Sequence, residues 1–311
     1  MTELLLLWLL VQVAAPAAAP PLQRYEAVEP AMGTLFRITL YAHSAAEARA
    51  AFEAAFARAH ELNAKFSDYQ PDSELNLLCR AGGGPVSEEL FAVLERALEV
   101  ARFSRGAFDP TLGPLTRLWR ASRKAGQLPS PAALSAARRL SGWKKVRLDR
   151  HRRTVALAVA GMQLDLGGIA KGFAAAELLR LLASRGLPAS LVAASGDLAI
   201  GEPPPGRAGW TIGLEAAQTN ELLARCGVST SGSEEQFVEV GGIRYSHILD
   251  PRTGLGLTGG PGRLTVSVIA PDATLADGLA TMAAVAGPAK AKTLIRRWKG
   301  VRLVLSSPPL P

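Results

Sequence analysis

FVEVGGIRY, residues 237–245, is the stretch that decides what kind of fold this chain can make. Two short alternating runs flank Gly241-Gly242, and such a pair supplies the positive φ values that a two-residue β-turn requires. The stretch predicts an antiparallel hairpin. The same grammar recurs along the chain. KVRLD (145–149) and TVALAV (154–159) read as two strands around the turn RHRR. In residues 36–41, Phe36, Ile38 and Leu40 alternate with Arg37, Thr39 and Tyr41, the period of a half-buried strand. MQLDL (162–166), SLVAAS (190–195) and RLTVSVIA (263–270) read as further strands. Helical patterns stand apart in blocks at 45–66, 87–104, 170–185 and 272–287; in the second, Leu90, Leu94, Ala97 and Ala101 share one stripe. Residues 121–135 read as a polar, proline-containing connection. Hairpins and separate helical blocks predict an α+β fold, with mixed, largely antiparallel sheets packed with helices in a single compact unit.

With 48% hydrophobic residues in 311, the chain can bury a core without disulfide or metal staples. Its two cysteines, Cys79 and Cys226, are too few for a disulfide framework or a zinc site; two lone thiols or one bridge are the readings left. A net charge of +8 raises nucleic acid, a membrane surface or an anionic substrate. The basic residues are scattered and no aromatics interleave with them, so a solvated basic face is the better reading and no nucleic-acid partner is expected. LLLLWLLVQVAAPAAAP (4–20) is a short apolar run followed by small residues and prolines. Residues 1–19 therefore predict a signal peptide or N-terminal anchor, and 20–311 the functional domain. No lipid-anchoring cysteine follows the run.

Three stretches carry chemistry. LDLGGIAKGF (164–173) runs through Gly167-Gly168 into a helix with Lys171 in its first turn. Backbone N–H groups at a helix start, with a lysine, favour an anion; a plain strand-to-helix turn is the alternative. YSHILDPRTG (245–254) crowds His247, Asp250, Arg252 and Thr253 beside a strand end, where Asp-Pro and Thr-Gly also make ordinary turns. In ADGLAT (276–281), Asp277 and Thr281 share a helix face, and a carboxylate with a hydroxyl offers the hard oxygens that magnesium or calcium prefer. On spacing alone, an Asp near a helix start and a back-bonded Thr is the commoner explanation. Asp197 of ASGDL suits a hydroxyl or amide contact to a ligand, and VSTSGSEE (228–235) is a binding loop or mere punctuation. G-x-S-x-G, C-x-x-C and H-E-x-x-H are all missing from the sequence.

In one chain, the order MGT, SDYQPDSEL, FDPTLGPLTRLW, DLGGIAKG, SGD, VSTSG, SHILDPRTG and ADGLAT resembles the ApbE family, the FAD:protein FMN transferases, over about residues 30–290. The resemblance implies an ApbE-like fold and a magnesium-dependent enzyme with FAD as substrate. Such an enzyme cleaves the pyrophosphate, attaches FMN through a phosphoester bond to a Thr or Ser of a target protein, and releases AMP. It further implies a target in a sodium-pumping NADH–quinone reductase or related electron-transfer complex. The apolar start at residues 1–19, rather than the resemblance, predicts a periplasmic or inner-membrane-associated setting, facing the periplasm. An FAD pyrophosphatase and a non-catalytic envelope flavin carrier are the competing readings. Residue by residue, Met32, Tyr69, Ala107, Phe108 and Asp109 match flavin contacts, and Asp165 and Lys171 match FAD contacts. Leu249 matches a backbone contact to the cofactor; the Gly168 carbonyl, Asp277 and Thr281 match metal ligands. His247 is the candidate general base, with Asp250 orienting its loop or serving the turn alone. The chain departs from the family pattern at Ser195-Gly196-Asp197, at Ser233-Glu234 and in the extra-looking LGLTGGPG (255–262). These departures bear on the adenine side of the site more than on the chemistry.

Overall fold

The computed structural model describes residues 20–232, 237–258 and 265–306. The central sheet has seven strands: β1 (Gln23–Ala31), β2 (Thr34–Ala42), β3 (Ser190–Ala194), β4 (Asp197–Ile200), β5 (Cys226–Ser231), β6 (Val266–Ala270) and β7 (Arg302–Leu305). They lie side by side in chain order, each antiparallel to the next. The sheet is thus a meander, and most of the candidate site is carried in its connections, with Asp197 and Ser229 added from β4 and β5. Between β2 and β3 run α1 (Ala45–Phe66), α2 (Glu74–Ala81), α3 (Glu88–Ser104), α4 (Gly113–Ala125), α5 (Pro131–Arg139) and α6 (Ala170–Ser184). Between β6 and β7 run α7 (Ala273–Ala286) and α8 (Pro288–Ile295). Between β5 and β6 lies the hairpin Phe237–Val240/Ile243–Leu249, joined by Gly256–Thr258.

The alternation in β2 does what its period predicts. Phe36, Ile38 and Leu40 enter the main core with Val192, Ala194, Val266 and Val268, against Ala59 and Leu62 of α1, Ala174 and Leu178 of α6, and Leu279 and Ala283 of α7. On the opposite face, Ile200, Val228 and Ile269 pack under Trp210, Ile212 and Leu214 of the small hairpin Trp210–Leu214/Thr219–Leu223. Helix α7 is apolar nearly all round and sits inside the core, the place such a helix must occupy. It reaches the sheet because β5 carries Gly227, where a Cβ would stand 2.3 Å from the Ala273 Cα. The Gly241-Gly242 turn has φ of +60° and +76°, as the hairpin reading requires.

Three expectations need correction. Residues 121–135 are not a connection: they span the end of α4 and the start of α5, where Pro131 follows the capping Ser130 and so starts a helix. MQLDL buries Met162, Leu164 and Leu166 alternately but joins no ladder; the Leu164 N–H donates to Cys79 Sγ (3.2 Å) and the Asp165 N–H to the Pro110 carbonyl (2.8 Å). VSTSG is mostly β5, in the middle of the sheet, rather than a loop. The α+β reading with largely antiparallel sheets holds, and every strand pair of the described sheets is antiparallel. Cys79 and Cys226 are both free. Among the described residues, no helix is long and apolar enough to cross a membrane. Residues 1–19, Ser233-Glu234 and residues 259–262 of the extra-looking segment lie outside the described residues.

Candidate active site

Helices α1, α2, α3, α5 and α7 begin with a serine or aspartate that accepts a backbone N–H of the first turn, the usual N-cap arrangement. Helix α6 does not: its N-cap is Ile169. The acid it needs comes from α7. The Gly172 N–H donates to Asp277 Oδ2 at 2.9 Å, and one turn away the Thr281 hydroxyl donates to the Gly168 carbonyl at 3.3 Å. Residues four apart on one helix thus meet residues four apart at the start of the other. Glycine makes the approach possible. A Cβ on Gly172 would lie 2.3 Å from the Ala273 carbonyl oxygen, and one on Gly168 would lie 3.0 Å from Thr281 Oγ1 and 3.2 Å from the Phe108 ring. Gly172→Ala is therefore expected to cost about 1–3 kcal/mol or more in denaturant unfolding, through overpacking against backbone that cannot yield. It should also abolish turnover by parting Asp277 and Thr281 from the loop.

These groups fit a hard cation. Carboxylate, hydroxyl and carbonyl are the oxygens magnesium takes, and it needs only one or two carboxylates when phosphates complete its shell. The 3.3 Å separation of Thr281 Oγ1 and the Gly168 oxygen is close to the spacing of about 2.9 Å between neighbouring ligands in a magnesium octahedron. Asp277 is 3% exposed, and burial, then the charge of Asp197, pushes its carboxyl up to about 7. A cation would relieve both penalties. Among the described residues, no group of three or more His, Cys, Asp or Glu forms an alternative metal cluster.

The loop's backbone donors are mostly engaged within the protein, unlike the open cradle the sequence suggests. Gly167 N–H goes to Asp165 Oδ1 (2.8 Å), the N–H groups of Ile169 and Ala170 go to the Leu166 carbonyl, and Gly172 serves Asp277. Lys171 pairs with Asp197, which is 2% exposed and also accepts the Ser229 hydroxyl at 2.5 Å. Asp197 and Ser229 are directly paired across β4 and β5, so the strand register builds this contact.

Asp165 is fixed from its other side by Thr116, whose hydroxyl donates to Oδ2 at 2.6 Å. Asp109 organises its own loop: it accepts the Thr111 N–H (2.9 Å) and hydroxyl (2.6 Å) and the Trp143 N–H (3.1 Å), while burial pushes its carboxyl up against those bonds. Phe108 is buried beside Gly168, Ala107 packs at the core's edge, and Met32 sits at the β1–β2 tip with φ of +51°. Tyr69 is 73% exposed, with the Arg120 guanidinium 3.9 Å from its ring centroid. Arg120 pairs with Asp68 at 2.6 Å, and burial, then the nearby Asp165 charge, raises the Asp68 carboxyl. The Tyr69 loop and the Gly-Gly loop are thereby neighbours.

His247 is exposed on the strand Ile243–Leu249, which packs against α7. Leu249 is buried with Leu115, Trp119 and Tyr245. Asp250 is buried at the turn and accepts the Arg252 N–H (2.8 Å) and the Arg252 guanidinium (2.8 Å). Burial alone would raise its carboxyl, but the Arg252 bonds outweigh that and hold it below the usual range. Its backbone closes the same turn through Gly254 and Leu255. The other histidines, His43, His60 and His151, are exposed elsewhere.

The structure thus gathers Gly168, Asp277, Thr281, Lys171, Phe108 and Asp165 around one helix junction and brings Tyr69 alongside through Asp68. Sequence reasoning missed Asp68, Thr116, Arg120 and Ser229. Thr116 and Arg120 are four apart on α4, a signal hidden while the end of that helix was read as a connection.

A hard-oxygen cradle and a lysine meet at one helix start, in the connections of an antiparallel meander, and this is the chemistry a candidate site for a phosphate-bearing ligand would need. The ApbE family profile matches residues 32–305. The chain is 37% identical to the FAD:protein FMN transferase of Treponema pallidum, over 90% of this chain and 83% of that protein. To the Salmonella typhimurium protein of the same name it is 31% identical, over 86% and 79%. The apo flavinyl transferase ApbE of Pseudomonas stutzeri superposes with a TM-score of 0.79 at 30% identity, covering 91% of this chain and 90% of that one. The Thermotoga maritima ApbE protein superposes with 0.78 at 31% identity, covering 91% and 94%. The chain belongs to the ApbE family.

Proposed function

We propose that this chain is a flavin transferase that binds FAD with magnesium, joins FMN through a phosphoester bond to a Thr or Ser of a target protein, and releases AMP. The observation that carries the reading is the docking of Asp277 and Thr281 onto Gly172 and Gly168. The names of the relatives support it. Asp277, Thr281 and the Gly168 carbonyl would hold the magnesium ion. When bound, that ion supplies neutralising charge for the pyrophosphate and the departing AMP. Lys171, held by Asp197, presents its ammonium to the phosphates; Tyr69, Phe108 and Met32 receive the flavin. A non-catalytic carrier would need neither the cradle nor His247. The target is proposed to be a subunit of a sodium-pumping NADH–quinone reductase or a related electron-transfer complex. AMP release from FAD and magnesium, measured with and without that target, tests the reading: dependence on the target supports it, and equal release without the target makes the chain an FAD pyrophosphatase.

Lys171→Ala is expected to weaken FAD far more than riboflavin, which has no phosphate to hold. Asp197 then loses the counter-charge it is buried with, so stability should fall by about 3–5 kcal/mol, and both titrations belong at a temperature where the variant is folded. Equal losses for the two ligands would place Lys171 away from the phosphates.

The protein is also proposed to act outside the cytoplasm, periplasmic or attached to the inner membrane, on the strength of residues 1–19. Fractionation with N-terminal sequencing is expected to find it in the envelope; an intact Met1 in the cytosol would contradict that.

A further inference from the structure

We propose that Arg120 is a positioning residue for the flavin, holding Tyr69 as a fixed platform on which the isoalloxazine ring stacks; this rests on the transferase reading above. An aromatic ring as exposed as Tyr69 ordinarily pivots. Here both backbone and ring are clamped. Ser67 Oγ accepts the N–H groups of Tyr69 and Gln70, each at 3.2 Å, and the Asn76 side-chain amide donates to the carbonyls of Ser67 (3.3 Å) and Gln70 (2.8 Å). The Arg120 guanidinium covers one ring face at 3.9 Å, and Asp68 fixes that guanidinium at 2.6 Å. Planar cations stack on aromatic rings in this way, and Lys cannot reproduce the flat contact.

The clamp faces the site rather than lying apart from it. Arg120 and Thr116 share one face of α4; Thr116 holds Asp165 of the Gly-Gly loop, and Asp68 lies close enough to Asp165 to feel its charge. One helix face therefore sets the loop acid and the aromatic ring relative to each other. With one face backed by a cation, the ring keeps its other face for a flat conjugated ligand. Ordering an exposed side chain on binding subtracts from affinity, and here the ordering precedes the ligand.

The test is titration of FAD and riboflavin, followed by flavin fluorescence, on wild type, Arg120→Ala, Arg120→Lys, Tyr69→Ala and the Arg120→Ala/Tyr69→Ala double variant. Arg120→Ala is expected to raise the Kd of both ligands about tenfold, and Arg120→Lys about threefold, the scale of a cation–π contact with lost preorganisation. With Tyr69 already removed, Arg120→Ala should change Kd by less than about twofold, since contacting residues are not additive. In turnover, KM for FAD should rise while kcat stays within about twofold, as for lost uniform binding. Should Arg120→Ala fail to fold, Arg120→Lys in the presence and absence of Tyr69 gives the same comparison. Unchanged Kd with a lowered Tm, or effects that multiply independently, overturns the positioning role and leaves the transferase reading intact. A wild type that binds neither FAD nor riboflavin overturns both.

Discussion

Asp277→Asn is expected to make the metal-free protein more stable and magnesium-dependent turnover slower by about a thousandfold or more, the loss that goes with several kcal/mol of metal-ion stabilisation. The two effects have one cause. Asp277 is a buried carboxylate facing the charge of Asp197 with Lys171 as the compensating cation nearby. Asparagine keeps an oxygen for the Gly172 N–H but ends the repulsion, so folding gains. It also removes the anionic ligand, so the cation cradle loses its charge. The pH dependence follows with a definite sign. The carboxyl is raised in the fold from 3.8 to about 7, so its protonated form favours folding. That contribution is fully present below pH 3.8 and is lost as pH rises through about 7. Stability of the metal-free protein should decline over that window, and Asp277→Asn should flatten the decline. Magnesium needs the carboxylate, so its affinity should tighten with pH up to about 7 and then level off. Calorimetric melts and magnesium titrations from pH 4 upward check both trends. An Asp277→Asn protein with wild-type turnover would remove the cradle from the chemistry.

His247→Ala is expected to leave FAD affinity within about threefold and slow transfer about a hundredfold or more, the usual scale for losing a general base. A Thr or Ser hydroxyl is a poor nucleophile at neutral pH and benefits from a group that takes its proton. His247 stands exposed between the buried Ser246 and Leu249, on a strand held against α7 and against Trp119 of α4. That packing fixes the backbone that carries His247 against the helix that carries Asp277 and Thr281. Asp250, with its carboxylate given to Arg252, shapes the turn after that strand. Single-turnover transfer to the target, followed at several pH values, is the measurement. Wild-type transfer by His247→Ala, with Asp277→Asn inactive, would end the base assignment and leave the cradle standing.

The fold was legible where local pattern and tertiary outcome agree. The Gly-Gly hairpin, the long amphipathic helices α1 and α3, and the alternation in β2 could all be read directly. Pro131 of α5 misled, because at a helix start the same residue that breaks a helix begins one. MQLDL misled because alternating burial reports two environments, not a ladder partner. In the site, Asp277 and Thr281 were visible as an i, i+4 pair, and Gly168 and Gly172 carry the same spacing in the loop they meet. The Lys171–Asp197–Ser229 contact was not legible. It joins residues far apart in sequence through the register of β4 and β5, which no local spacing encodes.

The central claim, that this site moves FMN from FAD to a protein hydroxyl, is tested most directly by incubating the protein with FAD, magnesium and the target subunit and running a denaturing gel. Transfer predicts flavin fluorescence that stays with the target band, requires magnesium, and is lost in Asp277→Asn. FAD consumed to FMN and AMP with a dark target band would contradict it.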